Sequence, residues 1–130
     1  MERREPNENL DRLAHDVIGA AIEVHRNLAP GFLESVYEEA LCIELDLREI
    51  PFERQVNHGI DYKGHGVGDG RLDIVVGKRL VVELKAVESL APIHTAQVIS
   101  YLKATGCQLA LLINFNVSVL KEGIKRVILS

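Results

Sequence analysis

The sequence predicts a mixed α/β (α+β) domain in which helices flank a mixed β-sheet, in the order α-α-β-β-β-β-α-β-β. Three stretches carry that expectation. Residues 10–48 repeat apolar side chains at three- and four-residue spacing, which marks two amphipathic helices. Residues 71–85 alternate apolar and polar side chains about a tight polar turn, which marks a hairpin. Residues 108–114 form a continuous apolar run after a third helical stretch. Such a run suits a strand buried on both faces and reached by a crossover.

Taken in order, residues 1–9 read as a polar, flexible tail, and residues 10–130 as one domain. Leu10, Leu13, Ala14, Val17, Ile18, Ala21, Ile22, His25 and Leu28 define the first helix, with Asn9 or Asn7 as its cap and Ala29-Pro30-Gly31 as its end. His25, on the apolar stripe, is expected to be a hydrogen-bonded core histidine rather than a ligand. A second helix spans Leu33 to Arg48, with Leu33, Val36, Tyr37, Ala40, Leu41, Glu44 and Leu45 on its inner face. Glu34 borders that face. The helix dipole accounts for an acid in the first turn; a functional reading sends Glu34 towards the acids of the hairpin. After Pro51, Phe52–His58 and Ile60–Lys63 read as two strands. The glycine-rich residues 64–70 read as a flexible turn. That turn matches neither GxGxxG nor a P-loop and no helix follows it, which argues against a phosphate cradle.

In the hairpin, a three-residue loop at Gly77-Lys78-Arg79 pairs Val76 with Leu80, Val75 with Val81 and Ile74 with Val82. Leu72, Ile74 and Val76 then share a face with Leu80, Val82 and Leu84. Asp73 falls opposite Glu83, with Cβ atoms about 4.5–5.5 Å apart, and Lys85 lies one step along the same face. Unit charges ~4 Å apart at an effective dielectric of ~20 repel by roughly 4 kcal/mol. A proton, Lys85 or a divalent cation must offset this. Two carboxylates and a lysine suit Mg²⁺, which takes few protein ligands and keeps waters for chemistry; the plainer alternative is a solvated face on which Lys85 bridges the acids. Asp69, in the glycine-rich turn, is an alternative to Asp73.

Ser89 is placed to cap the third helix, which tolerates Pro92 in its first turn and ends at Gly106. His94, Gln97 and Tyr101 fall on one stripe beside the hairpin, where they could orient a water or a phosphate. Gln108–Asn114 is the buried strand, Asn116–Glu122 a loop or short helix, and Ile124–Leu129 the last strand.

Composition narrows the class. The 130 residues suffice for one core. No apolar run approaches the ~20 residues that span a bilayer and no signal-peptide pattern opens the chain, so no membrane association and a cytoplasmic location are expected. Cys42 and Cys107 are in no zinc or CxxC spacing and read as reduced core cysteines. Residues 1–50 carry 12 acids and 5 bases, and residues 51–130 carry 7 acids and 10 bases. An acidic chain does not grip nucleic acid by charge alone.

Gly31-Phe-Leu-Glu34-Ser-Val-Tyr37 resembles the signature of the GxxExxY protein family, and the resemblance runs from about Leu10 to Leu129. It includes Asp73, Val82-Glu83-Leu84-Lys85, Gln97-Val-Ile-Ser-Tyr101-Leu102 and Leu111-Leu-Ile-Asn-Phe115. That family is similar to the PD-(D/E)XK nucleases, whose core is restriction-endonuclease-like. Leu72 stands where the name has proline. The resemblance implies a metal-dependent phosphodiesterase acting on DNA or RNA. Asp73 and Glu83, with the Leu84 carbonyl, would ligate Mg²⁺ or Mn²⁺, and Glu34 would be a further ligand or an outer acid. Lys85 would activate water and stabilise phosphate charge, and Gln97 and Tyr101, which resemble a QxxxY motif, would position the reacting groups. Grip on nucleic acid would fall to the metal, to Arg71, Lys78, Arg79 and Lys103, or to a partner. The competing expectation is a catalytically silent nuclease-fold module for binding or assembly, as a homodimer or another homo-oligomer. A small-molecule hydrolase finds no GxSxG, HExxH or paired cysteine ligands.

Overall fold

Where the strands pair, and where they stop pairing, decides where a site can form. The computed structural model describes residues 8–129, so Asn7 and most of the tail expected at residues 1–9 lie outside it. Helices α1 (Glu8–Leu28) and α2 (Glu34–Leu47) precede strands β1 (Phe52–Tyr62), β2 (His65–Val76) and β3 (Leu80–Lys85). Helix α3 (Pro92–Thr105) then leads to β4 (Leu109–Asn114) and β5 (Ile124–Ile128), with a 3₁₀ turn at Leu120–Gly123 between them. The sheet order is β1-β2-β3-β4-β5. All neighbours are antiparallel except β3 and β4, which run parallel because α3 carries the chain back. Helices α1 and α2 cover one face, over Ile74, Val82 and Leu111, while α3 covers the other, over Val75, Val81 and Ala110. The result is the expected mixed sheet with flanking helices, and β4 is buried along its whole length.

Several local expectations change. Phe52–His58 and Ile60–Lys63 are one strand, because pairing with β2 continues through Gly59 opposite Asp69. The glycine-rich stretch is mostly strand rather than flexible turn. The chain reverses at Lys63 and Gly64, both at positive φ (51° and 85°), and His65–Gly70 then pair along β1. Glycine breaks a strand only where no neighbour holds it, and β1 supplies that neighbour. Gly70 has a packing reason as well: a Cβ there would stand 2.4 Å from Nε2 of His58.

Helix ends shift too. Asn9 lies inside α1 rather than capping it. Ala91, not Ser89, is the N-cap of α3. The Ala91 N–H donates to Nδ1 of His94 at 2.9 Å, so the side chain at the third helical position satisfies the cap residue's own amide. Gly106, at φ 77°, ends the helix as expected. On α2, Tyr37, Leu41 and Leu45 are buried, but Leu33 and Val36, expected on the inner face, point to solvent. Cys42 is buried, Cys107 is partly buried, and both are free thiols. His25 is hydrogen-bonded as expected, its Nε2 2.7 Å from the Val117 carbonyl, but it is half-buried at the edge of the core rather than within it. Among the described residues no helix is long and apolar enough to cross a membrane.

Candidate metal centre

Strands β2 and β3 pair as expected at Ile74–Val82, Val75–Val81 and Val76–Leu80, and there the ladder ends. Further on, β3 stays with β4 and β2 stays with β1, so the two middle strands part at Asp73 and Glu83. Backbone amides released by that parting need acceptors. The two carboxylates provide them crosswise. The Asp73 N–H donates to Oε2 of Glu83 at 2.7 Å, and the Leu84 N–H donates to Oδ2 of Asp73 at 2.9 Å.

The parting is built into both strands of the outer hairpin. Gln55, at φ 49°, is skipped in the β1–β2 register opposite Asp73. Alternation slips there: Leu72 packs under α3, whereas Ile74 packs under α1 and α2, so the shared face expected for the two is broken. One residue on each strand goes unpaired without a shift of register, and the side chains of both strands change face across it. Glu38 of α2 holds this unpaired stretch of β1 in place. Its buried carboxylate accepts from Gln55 at 2.9 and 3.0 Å and from Arg54 at 3.1 Å.

Electrostatics follow from this geometry. Glu83 is 4% exposed. Burial, then the neighbouring Asp73 carboxylate, push its pKa from an ordinary 4.5 up to about 8. Burial also raises the Asp73 pKa, against the Leu84 N–H and Lys85, which lower it. Glu34, half-buried in the first turn of α2, is raised by burial and then by Asp73, and lowered by Lys85. Glu34 and Lys85 are therefore close enough to Asp73 for their charges to bear on it. Lys85 does not bridge the acids: among the described residues it forms no ion pair.

Glu34 owes its position to Tyr37. The buried Tyr37 hydroxyl donates to the Ala29 carbonyl at 2.6 Å and accepts from the Phe32 N–H at 3.2 Å. Its ring stacks on Phe115 with centroids 4.6 Å apart. In Gly31-Phe-Leu-Glu34-Ser-Val-Tyr37 the tyrosine thus fixes the turn, and the glutamate one turn earlier is aimed by it. Tyr37→Phe is expected to destabilise the protein by about 1–3 kcal/mol, since the Ala29 carbonyl loses its donor. Urea unfolding measures this.

The chain beyond Lys85 is pinned by Asn114, which is buried. It accepts from the Val87 N–H at 3.0 Å and donates to the Val87 carbonyl at 2.9 Å. The Phe115 N–H donates to the Lys85 carbonyl at 2.9 Å.

The polar stripe expected on α3 divides. His94 is occupied at the helix start. Gln97 is exposed, and its side chain makes no hydrogen bond among the described residues. Tyr101 is half-buried, and burial followed by the charges of Glu83 and Asp73 raises its phenol pKa. His58 of β1 packs edge-on against it, centroids 5.4 Å apart. Both ring nitrogens of His58 are buried without a partner among the described residues.

The expected basic residues do not form one group. Arg71, exposed on β2, lowers the Asp73 pKa. Lys78 and Arg79 sit in the turn at the far end of β3, about 13–17 Å from Glu83 at ~3.3 Å per residue. There they line a hollow with Thr105 and Gly106, and the exposed Lys103 lies near that end of α3. Asp69 is exposed on β2 opposite Gly59, four residues from the parting.

Glu38, His58 and Asn114 were assigned no role by the sequence reading. Glu38 carried a signal, an acid one turn beyond Glu34 on an otherwise apolar face. His58 and Asn114 carried none, since their environments arise only when distant segments meet.

The donor set fits a hard divalent cation. Oδ1 of Asp73 and Oε1 of Glu83 have no hydrogen-bond donor among the described residues. Mg²⁺ is commonly held by one or two carboxylates and retains several waters. An all-protein cage is not what the chain offers, because among the described residues no three His, Cys, Asp or Glu are grouped closely enough to enclose an ion.

The sequence model of the PD-(D/E)XK nuclease superfamily matches residues 11–127. The chain belongs to the PD-(D/E)XK nuclease superfamily. No curated protein and no solved structure matches it. As a PD-(D/E)XK chain it carries Asp73, Glu83 and Lys85 at the parting of β2 and β3, with Leu72 where the superfamily's name has proline.

Proposed function

We propose that the protein is a metal-dependent nuclease that hydrolyses phosphodiester bonds of DNA or RNA in the cytoplasm. The observation that carries this reading is the crossed pair of Asp73 and Glu83 where β2 and β3 part, with Glu34 and Lys85 near enough to bear on their charges, in a chain of a nuclease superfamily.

Asp73 and Glu83 would hold Mg²⁺ or Mn²⁺, with Glu34 as the outer acid that completes or orients the set. A divalent cation bound there supplies charge stabilisation to a phosphate oxygen and makes water more acidic. Lys85, with no carboxylate on its ammonium group, is available to a non-bridging phosphate oxygen or to the attacking water. Tyr101 offers a hydroxyl beside the two acids, and the exposed Gln97 amide, one helical turn earlier, is free to meet substrate. Arg71 is the basic residue best placed to meet the adjoining phosphate. Lys78, Arg79 and Lys103 would contact a strand only if it runs along α3 to the hairpin turn.

The test is incubation of purified protein with labelled single- and double-stranded DNA and RNA, with Mg²⁺, with Mn²⁺ and with chelator. Metal-dependent cleavage that Lys85→Met removes supports the reading. Equal products from wild type and Lys85→Met would assign the cleavage to a contaminant. A second reading, a silent binding module, is favoured by the two acids each spending an oxygen on backbone amides. In that case Asp73→Asn raises stability in Mg²⁺ and in chelator alike.

A further inference from the structure

His58 of β1 carries a cost that stability alone does not explain. Its ring is half-buried, and both Nδ1 and Nε2 are buried without a partner among the described residues. Buried polar atoms left unpaired destabilise a fold, and an aliphatic side chain at this place would avoid that cost. Strand β2 nevertheless makes room for the imidazole. Gly70 stands opposite His58 in the β1–β2 register, and a Cβ there would come within 2.4 Å of Nε2 and 2.6 Å of Cε1. Gly70 is not at positive φ, so its backbone does not call for glycine; the ring does. The same ring meets Tyr101 of α3 edge-on, with centroids 5.4 Å apart and 76° between the planes. Tyr101 in turn is near enough to Glu83 and Asp73 for their charges to bear on its phenol.

We propose that His58, seated on Gly70, is a positioning residue for Tyr101 and holds its phenol beside the Asp73–Glu83 pair. The inference rests on the nuclease reading, to which it adds a residue. In a helix a tyrosine ring takes one of two χ1 directions, and its neighbours decide between them. The three atoms nearest to a Cβ at position 70 all belong to His58, so removing the ring empties the space over Gly70. Tyr101, which touches that ring, is then free to tip into the gap and carry its hydroxyl away from the acids. A misplacement of about 1 Å in a reacting constellation costs up to about 10²-fold in rate. Shape does this rather than hydrogen bonding, and the two nitrogens are therefore left without partners. Imidazole is the smallest aromatic side chain, and the gap over Gly70 is tight.

Two measurements test this: steady-state cleavage of a labelled oligonucleotide in Mg²⁺, and NMR of the metal-free protein carrying labelled tyrosine. His58→Ala should lower kcat about ten- to a hundredfold while KM changes less than about twofold. In a Tyr101→Phe background the same change should cost less than about twofold, since the hydroxyl being placed is gone. Gly70→Ala drives a methyl into the ring, and should lower both kcat and the melting temperature. Adding His58→Ala to it removes the clash, so melting should return to the level of His58→Ala alone while kcat stays low. Tyr37, Tyr62 and Tyr101 are the three tyrosines, and the Tyr101 ring signals should move on His58→Ala while those of Tyr62 stay. The inference is overturned if His58→Ala leaves kcat unchanged, if the loss falls on KM, or if the loss is as large without the Tyr101 hydroxyl as with it. Tyr101 signals that do not move, in a protein that cleaves, would overturn the inference alone. A wild type that cleaves nothing would overturn the nuclease reading and the inference together, even with the Tyr101 signals moving as expected.

Discussion

Glu83→Gln is expected to lower metal-dependent cleavage by roughly 10²–10³-fold, the range seen when one preorganised electrostatic contact is removed, while making the metal-free protein more stable at pH 8. The two effects have one source. The glutamate stands buried beside Asp73 at the point where the sheet opens, and its second oxygen accepts from the Asp73 N–H. Glutamine keeps an oxygen for that bond and fills the same space without charge, so the burial cost and the repulsion both disappear. A mutation that damaged the fold would lower activity and stability together. Opposite signs in the two assays separate a metal ligand from a packing residue. Glu83→Ala is the weaker probe, because it also strands the Asp73 amide.

Metal binding is expected to be proton-coupled, and this is the second large effect. The folded-state pKa of Glu83 lies near 8, above its ordinary 4.5, and those of Asp73 and Glu34 are also raised. A raised acid binds its proton more tightly when folded. Its contribution to stability is therefore fully present below about pH 4.5 and is lost as pH rises towards 8. At about 1.4 kcal/mol per pKa unit, the Glu83 contribution is a few kcal/mol. Melting temperatures of the metal-free protein should fall between pH 5 and pH 8, and Glu83→Gln should flatten that slope. A divalent cation must displace the proton. Thermal stabilisation by Mg²⁺ should thus be larger at pH 8.5 than at pH 6, with protons released on binding at intermediate pH. The same displacement makes cleavage rise with pH across this window.

The hairpin and its register were legible in the sequence because alternation and loop length leave little choice once one face is apolar. Val76–Leu80, Val75–Val81 and Ile74–Val82 pair as the pattern requires. What the pattern could not reveal is that pairing ends one residue later. Local alternation places Asp73 across from Glu83, whereas in the fold Gln55 and Asp73 go unpaired, Glu38 clamps Gln55, and each acid bonds the other's strand. Those are contacts between segments 16 or more residues apart, invisible to spacing. Glycine content misled at residues 64–70 for the same reason, since the strand exists through its partner. Ser89 is not the cap because the helix starts at Pro92, two residues later than a cap at Ser89 requires, and His94 bonds the amide of the true cap residue Ala91. On α2 the repeat was read correctly as apolar, but two apolar faces on one helix cannot be told from one broad face by periodicity.

The central claim is that the parting of β2 and β3 is a cation site. A crystal structure of the protein soaked in Mn²⁺, phased on its anomalous signal, tests it most directly. The claim predicts a manganese peak between the Asp73 and Glu83 carboxylates, with Glu34 turned towards it. Manganese bound elsewhere, with both acids still closed on the Asp73 and Leu84 amides, would contradict it.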